Sequence, residues 1–447
     1  MLHSILFKMG YSVKDRDFLK CYKFVKKNEY EPAKVLEELQ EMWLKKIIHY
    51  SYNKVPYYHH LFKNLDIKPE QIQSVNDLEK IPILTKDIIR THYDQFKPLS
   101  LQSQRWVGGS TGGSSGEPLQ YRMTKRDETL GLAMMYANWG YAGYELGDKV
   151  AIIAGSSLCP TTKVKFIDSM KAFMLNEKRI SSFDLSEQNL FKIVRQLNKF
   201  KPRYIRGYAS AIYLFASFIK EKELKIDFQP DGIFTTSEVL FEHQREIIEE
   251  SFRSRVFDQY GLNDGGVSAY ECEMHSGMHI DILRSVMEIV DDNGYRVKEG
   301  AEGHILATSL HNFAFPFIRY NTGDLGILSA ETCPCGRKTQ LLSKLIGRVS
   351  DFIHTPNGRI IHGTFFSKIF WERSWTKHIQ IIQKSNEKLV IRIVPQRQDE
   401  VDFADLEKIK HIIYKRTGPI NLDFEIVDNI QTTPAGKWRI IIREGLQ

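Results

Sequence analysis

Apolar positions recur at helical spacing through residues 31–62, where Val35, Leu39, Met42 or Trp43, and Ile47 share a face ahead of an aromatic stop at Pro56, Tyr57 and Tyr58. That periodicity predicts a long helix packed as an N-terminal arm. Residues 77–86 read as a loop feeding a short helix. From about 100 to 265 the pattern changes to alternation. The apolar run 150–154 ends at Gly155-Ser156-Ser157 and is followed by helix-like 190–200, strand-like 204–208, helix-like 210–221 and Ile233-Phe234. Alternating strands and helices predict a mostly parallel α/β sheet. Between 278 and 328, short strands around Asn293-Gly294 and Gly303 predict a β-rich subdomain.

After Gly347-Arg348 a smaller pattern begins, with strands at 380–382, 389–394 and 424–427, a helix over 403–416 and an ending at 438–443. The fold class that follows is α/β. It has a large N-terminal domain (1–347) of mixed β-sheets flanked by helices, with a β-rich subdomain, and a small α+β C-terminal domain (348–447).

Composition narrows this little. At 447 residues the chain has room for two or three domains. Hydrophobic content of 42% and charged content of 26% exclude disorder and fibrous repeats. A net charge of +7 is scattered over 62 basic and 55 acidic residues, which fits a solvated surface better than a nucleic-acid groove. No apolar run reaches the ~18 residues of a membrane span. Residues 1–10 are interrupted by Lys8 and lack a signal peptide's apolar core. Five cysteines without framework spacing fit a reducing cytoplasm, with the protein a monomer or homodimer.

The strongest local signal is the tract Gly108-Gly109-Ser110-Thr111-Gly112-Gly113-Ser114-Ser115-Gly116-Glu117-Pro118. Glycines let the backbone curl its N–H groups inward and hydroxyls add donors, which is how a loop grips phosphate. A flexible linker has the same composition. This tract, however, lies inside a domain, between Trp106 and a strand-like Tyr121-Arg122-Met123. It lacks the Gly-Lys-Ser/Thr ending of a Walker loop.

Thr111-Gly112-Gly113-Ser114-Ser115-Gly116-x-Pro118 resembles the phosphate loop of the adenylate-forming superfamily of acyl-CoA ligases and adenylation domains. Further stretches in the right order resemble the phenylacetate-CoA-ligase-like branch, which includes the CapK-type proteins of capsule biosynthesis. Ile81-Pro82-Ile83-Leu84-Thr85-Lys86 is similar to its N-terminal signature, and Thr235-Thr236-Ser237-Glu238 to the turn ahead of the adenine pocket. Tyr260-Gly261-Leu262-Asn263-Asp264 resembles the Tyr-Gly-x-Ser/Thr-Glu motif. The resemblance implies an aromatic ring near adenine and a carboxylate for Mg²⁺, with Asp264 one methylene shorter than the usual Glu.

Arg319-Tyr320-Asn321-Thr322-Gly323-Asp324 resembles the Arg-Tyr-x-Thr-Gly-Asp motif, which implies that Asp324 accepts from the ribose hydroxyls. Gly347-Arg348-Val349-Ser350-Asp351 resembles the hinge of a mobile lid, with Ser350 at the usual Asp and Arg348 toward phosphate or ribose. Thr432-Thr433-Pro434-Ala435-Gly436-Lys437 resembles the lid motif whose lysine neutralises the α-phosphate.

A second cluster has ligand-type residues. Cys333-Pro334-Cys335 is a two-thiol knuckle, with Cys272, His275 and His279 upstream. Some members of the branch carry a structural zinc. The motif match implies Cys272, Cys333, Cys335 and His279 as a closed tetrahedral set, with His275 in reserve.

The resemblance as a whole implies activation of a small carboxylic acid by ATP and Mg²⁺ to an acyl-AMP. Catalysis would fall to Lys437 and Asp264. The nucleotide would be held by Ser110, Thr111, Gly112, Gly113, Ser114, Ser115, Gly116, Ser237, Glu238, Tyr260, Gly261, Asn263, Asp324 and Arg348. Transfer to coenzyme A or an amine would follow, and the resemblance to CapK-type proteins implies a place in surface-polysaccharide assembly. Residues 204–210, with Arg206 and Tyr208, and the Asp264-Gly265-Gly266-Val267 turn would wall the acid pocket. A nucleotidyltransferase that leaves AMP on its substrate and a non-catalytic adenylate-binding module are the rival readings.

Overall fold

The computed structural model describes residues 2–111, 119–154, 170, 172–181, 187–348, 352–356, 360–362, 364–371, 373–431 and 439–444. The chain divides into two compact units, Met1–Ile346 and Gly347–Gln447.

In the larger unit, β1 (Trp106–Ser110) and β2 (Gln120–Thr124) form a separate antiparallel hairpin. Eleven further strands make one sheet among the described residues. They are β3 (Val150–Ala154), β4 (Glu177–Ser181), β5 (Tyr204–Tyr208), β6 (Gly232–Thr236), β7 (Val256–Gly261), β8 (Ser268–Glu271), β9 (Met278–Ile280), β10 (Ser285–Val290), β11 (Glu302–Ser309), β12 (Tyr320–Leu328) and β13 (Leu341–Arg348). Their order is β10-β11-β12-β13-β9-β8-β7-β6-β5-β3-β4. Strands β4-β3-β5-β6-β7 run parallel. Every residue of β3, Val-Ala-Ile-Ile-Ala, is buried, as a strand covered on both faces requires.

At β7 the chain turns back on itself, and β7-β8-β9 continue antiparallel. The predicted β-rich subdomain is present in these strands. It is the antiparallel half of the same sheet, because a tight turn after β7 replaces a helical crossover. Each half has its own apolar core. One gathers Ile152, Ile153, Tyr204, Phe234 and Phe257, and the other gathers Ile289, Ile305, Phe317, Tyr320 and Leu342.

The helix predicted over 31–62 is two helices, Ala33–Lys54 and Pro56–Asn64. Val55 is extended, as a residue before proline prefers, and Pro56 opens the second helix where its missing N–H is not needed. The inward face also differs from expectation. Leu36, Gln40, Leu44, Ile47 and Ile48 face the core while Val35 and Met42 are exposed. Gln40 is accepted inside because its amide donates to the Ser285 carbonyl at 2.9 Å. Residues 2–14 are helical and bury Phe7 and Tyr11 against Phe18 and Tyr136.

In the smaller unit, β14 (Phe352–His354) and β15 (Ile360–His362) form a hairpin. The four strands β16 (Thr376–Ser385), β17 (Lys388–Pro395), β18 (Asn421–Ile426) and β19 (Ile441–Arg443) pair in the order β18-β17-β16-β19. Helix Phe403–Thr417 contributes Leu406, Ile409 and Ile413 to this unit's own core. No described helix is long and apolar enough to cross a membrane.

Candidate active site

The glycine-hydroxyl tract begins in β1, where Gly108, Gly109 and Ser110 pair with Arg122, Tyr121 and Gln120 of β2. Gly112, Gly113, Ser114, Ser115 and Gly116 lie outside the described residues. The base of the loop is well defined. The Thr111 amide donates to the Leu119 carbonyl at 3.0 Å, and the Leu119 amide donates back to Thr111 Oγ1 at 2.9 Å. Ser110 accepts from the Gln120 amide at 3.2 Å. Asn312 anchors the far end of the hairpin, accepting from the Thr124 amide at 3.1 Å and donating to the Arg122 carbonyl at 2.8 Å.

Below the hairpin, two tyrosines each donate to an aspartate across the sheet. Tyr260, in β7, gives its hydroxyl to Asp324 Oδ2 at 2.9 Å, and Tyr320, at the start of β12, gives its own to Asp264 Oδ2 at 3.0 Å. All four side chains are buried. Burial and the neighbouring carboxylate raise both phenols far above their usual range, so they remain protonated donors. Burial also raises the Asp264 carboxyl, opposed by its own backbone amide, the Lys86 charge and the Tyr320 hydroxyl. Tyr121 of β2 is within electrostatic reach of Asp264, since burial and the Asp264 charge together push its phenol upward. Gly109 leaves room for the Tyr121 ring, since a Cβ there would stand 2.4 Å from it and force the ring to shift.

The remaining motif residues position this pair. Leu84 docks beside Tyr320, with its amide donating to the Arg319 carbonyl and its carbonyl accepting from the Asn321 amide, both at 2.9 Å. Thr85 then caps the helix Lys86–Thr91, and Lys86 thereby comes within electrostatic reach of Asp264. Arg319 is a buried tie rather than a ligand-facing cation. It donates to the Ile81 carbonyl at 2.8 Å and to the Gly294 carbonyl at 2.5 Å, and pairs with Glu288 at 3.3 Å. Ser237 adopts φ 71°, and Glu238 accepts the Ser210 amide at 2.9 Å, at the start of the helix Ala209–Glu221. Gly261 ends β7, Asn263 and Asp264 lie in the turn that follows, and Arg348 ends β13. Ser350, Asp351 and Lys437 lie outside the described residues.

The thiol cluster forms at the opposite end of β8. Ligand atoms of Cys272, His279, Cys333 and Cys335 all lie within 4.8 Å of one another. Cys272 and Cys333 sulfurs are 3.5 Å apart, and Cys335 Sγ is 3.3 Å from His279 Nε2. Zinc–sulfur bonds of about 2.3 Å in a tetrahedron place sulfurs roughly 3.8 Å apart, so the donor set fits that metal. His279 Nδ1 lies 3.0 Å from Thr339 Oγ1, leaving Nε2 toward the thiols. Burial lowers His279 to about 4, keeping the imidazole neutral as a ligand must be. Burial raises Cys272 to about 12, whereas at Cys335 it is outweighed by hydrogen bonds from Arg337, which lower it. His275 is not in this set, and its Nδ1 instead faces Glu271 at 3.3 Å.

Sequence reasoning passed over Tyr320 and Lys86 as working groups, although both stood inside quoted motifs. It also missed the buried Asp127–Arg284 pair at 3.1 Å, for which no motif exists.

Three comparisons bear on this geometry. The family model for the CapK C-terminal domain matches residues 353–444. Protein CapK of Staphylococcus aureus is 25% identical over 441 residues, covering 96% of this chain and 95% of that protein. The phenylacetate-coenzyme A ligase of Thermus thermophilus is 25% identical over 410 residues, covering 89% and 86%. A solved 2-hydroxyisobutyryl-CoA ligase, in complex with 2-HIB-AMP in the postadenylation state, shares the fold at a TM-score of 0.75 with 21% identity, covering 94% of this chain and 91% of that one.

Proposed function

We propose that this chain, a homologue of CapK and of the phenylacetate-coenzyme A ligases, is an ATP-dependent ligase that activates a carboxylic acid as its acyl-adenylate and passes the acyl group to coenzyme A. The observation that carries this reading is the convergence of Asp264 and Asp324, each held by a tyrosine hydroxyl, beneath a glycine-hydroxyl hairpin.

The substrate carboxylate attacks the α-phosphorus of ATP, the bond to the pyrophosphate oxygen breaks, and acyl-AMP and pyrophosphate result. A thiol then attacks the acyl carbon and AMP leaves. No enzyme nucleophile is needed, so the protein's task is to place groups and balance charge. The hairpin amides and hydroxyls cradle phosphate, Asp324 accepts from the ribose hydroxyls, and Tyr260 holds that carboxylate with its ring near the base. Ser237 and Glu238 border the base, and Arg348 approaches phosphate or ribose. Asp264 fits magnesium, since one protein carboxylate beside substrate phosphates is the usual set, and the ion would offset charge on the phosphate oxygens. Lys437, on a mobile smaller unit hinged near residue 348, would neutralise the α-phosphate.

Cys272, His279, Cys333 and Cys335 would hold a structural zinc that ties β8, β9 and the segment after β12 together. Such a closed set leaves no position for catalysis. We place the protein in the cytoplasm. Resemblance to CapK-type proteins points to surface-polysaccharide assembly. The test is acid-dependent exchange of labelled pyrophosphate into ATP across a panel of carboxylic acids, with thioester formation on adding coenzyme A. A binding module would exchange with none of them.

A further inference from the structure

We infer that the first two helices of this chain form a docking surface for an anionic lipid membrane, with a stripe of lysines meeting the head groups and a neighbouring apolar stripe entering the interface. The inference stands apart from the adenylation reading and from the residues of that site.

The chain's surplus of positive charge is unevenly placed. Residues 1–27 hold seven basic side chains against two acidic ones, Asp15 and Asp17, a surplus of five out of seven for the whole protein. In the helix Phe18–Lys27, Lys20, Lys23 and Lys27 follow at intervals of three and four residues, so they share one face, and all three are exposed. Phe18 and Val25 occupy the opposite, buried face. Among the described residues only Lys20 of the three has an acidic neighbour, Asp17 at 3.4 Å. That pair is open to solvent and holds its charges weakly.

The helix Leu2–Lys14 has a different outward stripe. Phe7 and Tyr11 are buried, while Ile5 and Met9, four residues apart, are exposed with Lys8 beside them. Met170 and Phe173, the latter 66% exposed, extend this apolar surface. Their segment lies against the helix, since His3 meets the Phe173 ring at 5.8 Å and a Cβ on Gly10 would stand 2.7 Å from the Met174 methyl. Both helices rest on one ring. Phe7 and Phe18 pack edge-on against Tyr136 at 5.2 and 5.9 Å, and Tyr11 stacks on Phe18 at 4.1 Å. The lysine and apolar stripes lie opposite that shared seam, so both turn away from the body of the larger unit.

The combination selects the occupant. Single exposed apolar side chains are ordinary, whereas four adjoining ones mark an interaction surface. A second copy of this surface would oppose its own charge. Single-stranded nucleic acid would use aromatic platforms, yet three of these four side chains are aliphatic or thioether. An anionic bilayer answers both stripes, because lysines gain from its negative potential and apolar side chains leave water at the head-group boundary.

The experiment is sedimentation of the full chain with vesicles. Affinity for vesicles of equal parts phosphatidylglycerol and phosphatidylcholine should exceed that for phosphatidylcholine alone by roughly 10-fold or more, and should fall as salt rises. Lys20→Gln with Lys23→Gln and Lys27→Gln should weaken binding to the mixed vesicles by roughly 100-fold, and Ile5→Ser with Met9→Gln by roughly 10-fold. Both variants alter exposed side chains and should melt with wild type. Equal binding to the two vesicles, binding to neither, or a variant of either stripe that binds as wild type does overturns the inference. Tighter binding to oligothymidylate than to the mixed vesicles overturns it as well.

Discussion

The two ends of the β7–β8 hairpin treat buried polar groups in opposite ways. At its tip, Asp264 accepts from a tyrosine of β12, and Asp324 further along β12 accepts from a tyrosine of β7. At its foot, Cys272 meets His279, Cys333 and Cys335 with all donor atoms inside 4.8 Å. The tip lies at the carboxyl end of the last parallel strand, where open α/β sheets bind ligands, and its carboxylates are oriented while keeping acceptor capacity for a ligand. The foot closes on itself. One hairpin thus separates the two carboxylates of the proposed site from the closed thiol cluster, and mutations at the two ends should separate in what they change.

The largest effect is expected at the nucleotide end. Lys437→Ala should lower acid-dependent pyrophosphate exchange by about 100- to 1000-fold without changing zinc content or melting temperature. If exchange stays normal while thioester formation is lost, the lysine belongs to the second step instead. Asp324→Asn should weaken ATP by roughly 10- to 100-fold, read as KM, again at constant melting temperature.

The foot should behave in reverse. Cys335→Ser should take bound zinc from one per chain to none and lower the melting temperature by about 5–10 °C, with ATP affinity nearly unchanged. Wild-type protein holding no stoichiometric zinc, and a variant that melts with it, would remove the distinction between the two ends. Tyr320→Phe tests the crossed pairing at smaller amplitude. Loss of one hydrogen bond to a carboxylate should raise the KM for ATP about 5- to 10-fold, more steeply at low magnesium than at saturating magnesium.

The smallest effect concerns Asp258, buried in β7 near the foot, where its amide donates to Glu271. Burial, then the Glu271 charge, raise its carboxyl to about 7. A carboxyl raised in the folded state contributes stability that is present at low pH and lost as pH climbs through the folded value. Asp258→Asn, which keeps an acceptor for Thr235 and the Gln259 amide, should therefore melt higher than wild type by a margin that grows from pH 5 to pH 8. A margin independent of pH would show that Asp258 is ionised throughout.

Much of the parallel half was legible because its physics is local. A buried strand such as Val150–Ala154 is an unbroken apolar run, and the helix Phe403–Thr417 shows its period in Leu406, Ile409 and Ile413. The N-terminal arm was harder. Its inward face depends on Gln40 finding the Ser285 carbonyl, a partner 245 residues away that periodicity cannot anticipate. The antiparallel continuation beyond β7 likewise depends on a turn whose left-handed Gly265 and Gly266 are visible as residues, while the strand that will pair next is not.

The residue types of both sites were set by the chain alone. Glycine and hydroxyl runs, paired carboxylates in quoted motifs, and three cysteines with a histidine carry their chemistry wherever they fall. Only the tertiary structure decided which groups share a volume. It gave Asp264 to Tyr320 rather than to Tyr260, turned Arg319 inward as a tie, sent His275 to Glu271 instead of the thiols, and buried Arg284 against Asp127 beside two glycines. Hydrogen bonds and metal geometry act over about 3 Å, and separations that small between distant positions are fixed by how strands register and pack, which no local pattern encodes.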